Sequence, residues 1–275
     1  MTCFEWRRTA EALLSAAGDE DAALDAKLLL CAGTGIELSR VLFENAAPLN
    51  EEALARLKEL LKERCRRTPM QYIEQRAYFM GLEFYVDGRV LIPRQDTEIL
   101  AEAALERMKP GNSVLDLCTG SGALAVTLAK FGKNAEVTAS DISPEALEVA
   151  QLNAERNSVG IETVLGDGFE PLAGRQFDII VCNPPYLTDS DMEELQPEVR
   201  REPELALRGG PDGLTLYRRF ARELPDFLKP GGTALFEVGI GQANAVRELL
   251  RFGETGIIKD LCGVDRVVYV RKNNG

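Results

Sequence analysis

Three observations predict an α/β fold, a mostly parallel sheet covered on both faces, behind a small helical domain. From about residue 93 strand-like and helix-like segments alternate. The first 75 residues carry only helical periodicity. The stretch Val114-Leu115-Asp116-Leu117-Cys118-Thr119-Gly120-Ser121-Gly122-Ala123-Leu124-Ala125 reads as a strand, a tight glycine turn and the start of a helix.

Residues 1–75 place apolar side chains at helical spacing in Ala10–Ala17, Ala22–Cys31 and Ala53–Leu61, with turn signals at Gly33–Gly35 and Pro48–Asn50. Asp19 and Asn50 are expected to cap the second and a later helix. No glycine-rich loop or catalytic constellation falls here, so this part is expected to bind something or to pack on the main domain. Residues 76–92 turn aromatic and β-branched, broken by Gly81 and by Asp87-Gly88; they predict a hairpin connecting two domains. In residues 93–275 the expected strands are Val114–Leu117, Glu136–Asp141, Thr163–Leu165, Phe177–Cys182, Thr233–Val238 and Val267–Val270, with helices between them. One helix starts at Ser143-Pro144, a good cap followed by proline at the first helical position.

Composition narrows the chemistry. With 45% hydrophobic and 28% charged residues the chain is an ordinary globular protein, and no apolar run approaches the length of a membrane span. The N-terminus lacks a basic segment followed by an apolar core, so no signal peptide is expected. The six cysteines are scattered, without a C-x-x-C pair, which argues against a zinc site and a disulfide framework and fits reduced thiols in the cytoplasm. A net charge of −12 argues against a protein that grips nucleic acid, although Arg64, Arg66 and Arg67 form one local basic cluster. No histidine is present, which excludes an imidazole base or a Ser-His-Asp triad.

The most distinctive segment is Phe177-Asp178-Ile179-Ile180-Val181-Cys182-Asn183-Pro184-Pro185-Tyr186. An apolar strand ends in two prolines, which donate no backbone hydrogen bond and hold the residues before them extended. The resulting stiff turn offers the Asn183 carboxamide and backbone carbonyls as acceptors, with the Tyr186 ring beside them. Such a turn suits a planar NH2 group, that is, chemistry on an amide or amino nitrogen.

The glycine turn can hold either of two cofactors. Gly120-x-Gly122-x-x-Ala125 with a later acidic residue matches a nicotinamide dinucleotide pattern. S-adenosylmethionine is favoured by the acids around it. Asp116, just before the turn, is expected to pair with a methionine ammonium and would repel a pyrophosphate. Asp141, ending the next strand, suits both hydroxyls of a ribose, and Asp167, in Gly166-Asp167-Gly168, suits an adenine amine. Cys118, Thr119, Gly120, Ser121, Gly122, Gly168 and Asn183 complete the expected cofactor set.

Taken together these residues resemble the bacterial protein-(glutamine-N5) methyltransferases that act on peptide-chain release factors, the HemK/PrmC family. Pro69-Met70-Gln71-Tyr72-Ile73, Ile92-Pro93-Arg94-Gln95-Asp96-Thr97-Glu98, the Asp116–Gly122 loop and Asn183–Tyr186 carry the likeness. Glu202-Pro203-Glu204-Leu205-Ala206-Leu207, Gly210-Pro211-Asp212-Gly213-Leu214 and Asp265-Arg266-Val267-Val268 extend it over essentially the whole length. The resemblance implies a Rossmann-like seven-stranded methyltransferase domain, S-adenosyl-L-methionine as methyl donor, and a release factor held partly by the helical domain. The acceptor is then the glutamine of a Gly-Gly-Gln loop, with Asn183, Pro184 and Tyr186 as catalytic residues and Pro185 completing the substrate contact. The Asn183 side-chain oxygen and the Pro184 carbonyl are expected to accept the two amide N–H groups. Neither stable nucleic-acid binding nor membrane association is expected. Three positions depart from the family pattern: Cys118 and Gln75 replace glycines, and Gly168 replaces an aromatic residue that covers adenine, a role expected to pass to Phe169. Asp96 or Thr97 is expected to cap a helix starting near Glu98. A glutamine methyltransferase of a ribosomal protein, a DNA adenine-N6 methyltransferase, and a non-catalytic adapter are the alternatives.

Overall fold

A computed structural model describes residues 1–274. The chain divides into two compact units, Met1–Arg76 with Gln196–Arg201, and Ala77–Leu195 with the remainder from Glu202.

In the first unit α1 (Cys3–Ala16), α2 (Ala22–Thr34), α3 (Glu51–Cys65) and the short α4 (Met70–Glu74) enclose Trp6, Leu14, Leu29, Leu30 and Leu57. Asn50 caps α3, its Oδ1 accepting the Ala53 N–H at 2.8 Å. Asp19 does not cap α2; the capping position is Asp21, without a side-chain bond. Asp19 is drawn instead to Arg64, a guanidinium left only 6% exposed, which a buried cation requires. Arg64 also reaches Asp25 at 2.5 Å and Glu198 at 2.7 Å. Arg67 shares Glu198, and Arg66 pairs with Glu63. The three arginines that read as a basic patch are thus matched by carboxylates. Gln75 ends α4 at φ 52, the left-handed position where the family pattern has glycine.

The second unit opens with a hairpin, β1 (Ala77–Phe79) and β2 (Leu82–Phe84), paired antiparallel. Its turn is Met80-Gly81, with φ 50 and 74, the two left-handed residues of a type I′ turn. Asp87-Gly88 lies beyond the hairpin, where Asp87 accepts from Arg89 and Tyr85. The buried Phe79 and Phe84 rings meet edge to face and join the core of this unit.

The chain then runs α5 (Gln95–Arg107), β3 (Ser113–Leu117), α6 (Ala123–Phe131), β4 (Glu136–Asp141), α7 (Pro144–Arg156), β5 (Glu162–Leu165) and β6 (Phe177–Cys182). Two short strands, β7 (Leu187–Thr188) and β8 (Arg208–Gly210), pair on either side of α8 (Asp189–Glu193). There follow α9 (Thr215–Phe227), β9 (Leu228–Glu237), α10 (Ala243–Leu249), β10 (Glu254–Lys259) and β11 (Asp265–Arg271). Ser143 caps α7, accepting the Ala146 N–H at 3.1 Å ahead of Pro144.

The main sheet has seven strands in the order β10-β11-β9-β6-β3-β4-β5, parallel except where β11 meets its two neighbours. Sequence periodicity finds six of them. β10 escapes it because Glu254-Thr255-Gly256-Ile257-Ile258-Lys259 offers only two adjacent apolar residues; its pairing with β11 makes it a strand. Alternation along β3 splits the core into two layers. Leu115 and Leu117 face Phe220, Leu224 and Val246, and Val114 faces Leu100, Val126 and Ala154. From β3 the chain builds outward through β4 and β5, then returns to the other side of β3 to form β6. Ligands bind such sheets at the carboxyl ends of the strands where this reversal occurs. No helix among the described residues is long and apolar enough to cross a membrane.

Candidate active site

A cavity of about 410 Å³ opens at that reversal. Its floor is the turn between β3 and α6. Cys118, Gly120 and Gly122 there have φ of 63, 53 and 79. A Cβ on Gly120 would meet nothing within 4 Å, so its glycine leaves the backbone open to a ligand. Gly122 serves a different purpose: a Cβ there would come within 2.9 Å of Ala150, so the glycine allows α6 and α7 to pack closely. Cys118 keeps a side chain in left-handed backbone, a strain of about 1–2 kcal/mol, and packs on the core near Cys182. Thr119 and Ser121 also line the cavity.

Asp116 does not. It is fully buried beneath the turn, and its Oδ2 accepts the Thr119 hydroxyl at 2.6 Å and the Ala125 N–H at 3.0 Å. The structure places it away from the cavity lining where an ammonium was expected to meet it: its carboxylate ties the turn to the first turn of α6. Burial, reinforced by the charge of Asp141, pushes this carboxyl up to about 7. Asp141 does line the cavity. The Gly120 and Ser143 N–H groups, each at 2.9 Å, orient its carboxylate from the protein side. A carboxylate has about four acceptor positions, and its cavity-facing side remains open to a ligand hydroxyl. Burial raises its pKa.

Asp167 and Gly168 border the cavity at the end of β5. The Asp167 Oδ1 accepts from Arg219 of α9 at 2.6 Å. Gly168 has φ 62, and a Cβ there would lie 3.0 Å from Phe220 and 3.1 Å from Arg219. An aromatic side chain at 168 would take left-handed backbone and press on Arg219 and Phe220. Phe169 does not take over that role; it is 1% exposed and stacks on Phe227 at 4.5 Å inside the core. The exposed apolar surface bordering this end of the cavity is Ile142, directly after Asp141.

At the end of β6, Asn183 and Pro185 line the cavity, whereas Pro184 is buried and Tyr186 is half-buried behind them. The turn is pinned by Gln242, whose Nε2 donates to the Tyr186 carbonyl at 2.9 Å while its Oε1 accepts the Gly239 N–H. The Asn183 Nδ2 donates to the Thr97 hydroxyl oxygen at 3.2 Å. Thr97 does not cap α5: the capping position is Arg94, without a side-chain bond, and Thr97 lies inside the first turn, 5% exposed. The Tyr186 phenol donates to Glu237 Oε1 at 3.4 Å. Glu237, ending β9, is 2% exposed; burial pushes its carboxyl up to about 7, and Thr97 favours the ionised form. Burial and the Glu237 charge hold the Tyr186 phenol protonated.

Two further acids shape the segment before α5. Glu202 accepts from the Ile92 N–H and from Arg94, which lines the cavity. Glu98 accepts the Met80 N–H at 2.6 Å. Sequence reasoning missed Gln242, Arg219 and Ile142, read Thr97 only as a possible helix cap, and left Glu237 without a role. Ile142, next to the strand-end acid, was the one with a local signal.

Family models match this chain twice: PrmC N-terminal domain over residues 5–74, and Methyltransferase small domain over residues 95–202. A release factor glutamine methyltransferase of Geobacter sulfurreducens is 43% identical over 270 residues, 96% of this chain and 93% of the relative. That of Bacillus subtilis is 40% identical and covers 99% of both. Among solved structures, a methyltransferase from Pyrococcus furiosus covers 71% of this chain and 91% of its own, at TM-score 0.54 and 20% identity. A Thermus thermophilus 16S rRNA N2 G1207 methyltransferase, solved with AdoMet and guanosine, covers 72% of this chain and 50% of its own at TM-score 0.51 and 23% identity. These two share the fold.

Proposed function

Because this chain belongs to the release factor glutamine methyltransferase family, we propose that it methylates the side-chain nitrogen (N5) of the Gly-Gly-Gln glutamine in peptide-chain release factors. One observation carries the chemistry: Asn183 sits at the end of β6 with its Nδ2 engaged by Thr97, which leaves Oδ1 as the acceptor on the cavity side.

The cavity's side chains fit S-adenosyl-L-methionine. The Asp141 carboxylate on the cavity wall suits ribose hydroxyls, Ile142 offers an apolar face to a base, and Asp167 lies where an exocyclic amine can donate. The open backbone at Gly120 leaves room against the turn. When bound, the cofactor supplies an electrophilic methyl group on a sulfonium centre.

The protein's own task is to make a poor nucleophile react. An amide lone pair is delocalised into its carbonyl, so the nitrogen must be aligned and its growing positive charge met by acceptors. Asn183 Oδ1 and the Pro184 carbonyl take the two N–H bonds of the glutamine carboxamide, and the Tyr186 ring packs on its plane. Such positioning supplies several kcal/mol, about 7–11 at best. Tyr186 stays protonated and acts through its ring. The nitrogen releases one proton once it carries the methyl group, so no strong base is needed beforehand. We assign release-factor docking to the helical domain, residues 1–75, with 76–92 as connector and 93–275 as the methyltransferase domain. Its arginine cluster is neutralised by Asp19, Asp25, Glu63 and Glu198, which favours a protein acceptor over DNA.

The test is methyl transfer from labelled S-adenosylmethionine to three acceptors: a release factor, the same factor with its Gly-Gly-Gln glutamine changed to alanine, and duplex DNA. Label on the first alone is expected. Label on DNA, or equal label on both proteins, would overturn the assignment.

A further inference from the structure

The carboxamide of Asn183 is symmetric in shape and opposite in polarity at its two ends, so something must decide which end meets the substrate. Asn183 Nδ2 donates to Thr97 Oγ1. A hydroxyl has one proton, and with its oxygen accepting, that proton is free to point onward. The polar neighbour on that side is Glu237, at the end of β9. The Tyr186 phenol donates to the same carboxylate. Glu237 Oε2 is buried, with no hydrogen bond of ordinary length from the described residues. Among the described residues this carboxylate makes no ion pair: Arg266, the nearby cation, is bound to Asp96 and Asp260. Such a group is costly to bury, which points to a role in the site.

We propose that Glu237 is a positioning residue: as the terminal acceptor of Asn183, Thr97 and Tyr186, it fixes the Asn183 carboxamide with Oδ1 towards the substrate nitrogen. Every proton in the chain then runs towards Glu237. A neutral group at 237 can donate, which lets the Thr97 hydroxyl reverse and donate to a flipped carboxamide. A flipped Asn183 presents an NH2 to the substrate NH2, and donor meets donor. The charged and titratable groups facing Glu237 are Asp96 from α5, Arg266 from β11, Tyr186 from the turn and Tyr217 from α9, whose phenol donates to the Glu237 backbone carbonyl. Asp96 opposes its ionisation, and Arg266 favours it.

This inference rests on the proposed glutamine methylation, and the experiment separates the two. Wild type, Glu237→Gln, Thr97→Val and Thr97→Ser are compared for kcat and KM with a release factor, for kcat against pH, for S-adenosylmethionine affinity by calorimetry, and for thermal midpoint. Glu237→Gln and Thr97→Val are expected to lower kcat about 10–100-fold, the scale of a small misplacement at a reacting centre. Cofactor affinity should stay within about two-fold. Thr97→Ser, which keeps the hydroxyl, restores kcat. Wild-type kcat rises with pH through neutrality, and Glu237→Gln loses that rise while melting no lower than wild type. Wild-type kcat and pH dependence in Glu237→Gln would overturn the inference, as would equal loss in Thr97→Ser and Thr97→Val. A wild-type enzyme that does not label the release factor overturns the functional assignment instead.

Discussion

The helical unit and the methyltransferase unit both bury carboxylates, and they treat them in opposite ways. Asp19 and Asp25 surround Arg64, which also meets Glu198, so each charge has a counter-charge within 3 Å. Asp116 and Glu237 have only O–H and N–H donors, and each keeps one oxygen without a hydrogen bond of ordinary length among the described residues. A paired buried charge is a device for holding a fold in one arrangement. Burial raises the Asp25 carboxyl too, to about 6, and Asp19 Oδ2 also lacks a hydrogen bond among the described residues, so what sets Asp116 and Glu237 apart is the missing cation; buried acids without one gather where chemistry is done. The difference separates acids held by a cation from acids held only by neutral donors: Asp116 ties the turn beneath the cavity to α6, and Glu237 stands behind Asn183 and Tyr186.

The comparison is most open to attack at Arg64. Arg64→Ala leaves Asp19 and Asp25 buried without their cation and is expected to cost about 3–5 kcal/mol. The sole tryptophan, Trp6, lies in the core of that unit and reports its unfolding in urea by fluorescence. A loss below about 1 kcal/mol would mean the cluster is a surface-like arrangement. In the cavity, Asp141→Ala removes the carboxylate offered to ribose hydroxyls. It is expected to weaken S-adenosylmethionine binding about 10–100-fold by calorimetry, at roughly 1.5–3 kcal/mol for hydrogen bonds to a charged group. Unchanged affinity would remove Asp141 from the cofactor site.

Asp116 gives a smaller effect with a defined sign. Its folded pKa, about 7, lies above that of an unfolded aspartate. The folded protein therefore binds the proton more tightly, and this contribution to stability is present below about pH 4 and is lost as pH rises through 7. Asp116→Asn, which cannot ionise, should narrow the stability difference between pH 5 and pH 8 by about 1–3 kcal/mol in paired urea titrations. An identical pH slope in both proteins would show that Asp116 does not titrate in this range. Gly168→Ala should be milder still, about 1–2 kcal/mol of destabilisation from left-handed backbone against Phe220 and Arg219.

What the sequence revealed depended on how local each signal is. The parallel sheet, the glycine turn, Asp141, the Asn50 and Ser143 caps and the Asn183–Tyr186 turn are written in adjacent residues. Each is set by backbone chemistry within a few positions. The readings that failed concern side chains whose partners are distant in the chain. Asp19 and Thr97 looked like caps because Asp and Thr near a helix start usually are, yet Arg64 and Asn183 claim them. Arg64, Arg66 and Arg67 looked like a basic patch because Glu198 is more than a hundred residues away. Asp116 looked like a ligand because strand-end acids often are, and only packing shows that Ala125 and Thr119 take it. β10 became a strand through pairing with β11, which no local propensity encodes.

The central claim is that the turn after β6 activates an amide nitrogen through Asn183. The most direct measurement is a single-turnover comparison of wild type and Asn183→Ala on a release factor, with the methylated residue located by mass spectrometry and cofactor affinity measured alongside. The account predicts methyl on the Gly-Gly-Gln glutamine in wild type, and a rate lower by about 10²–10³ in Asn183→Ala. Cofactor binding and melting temperature should be nearly unchanged. A near-normal single-turnover rate in Asn183→Ala would contradict it.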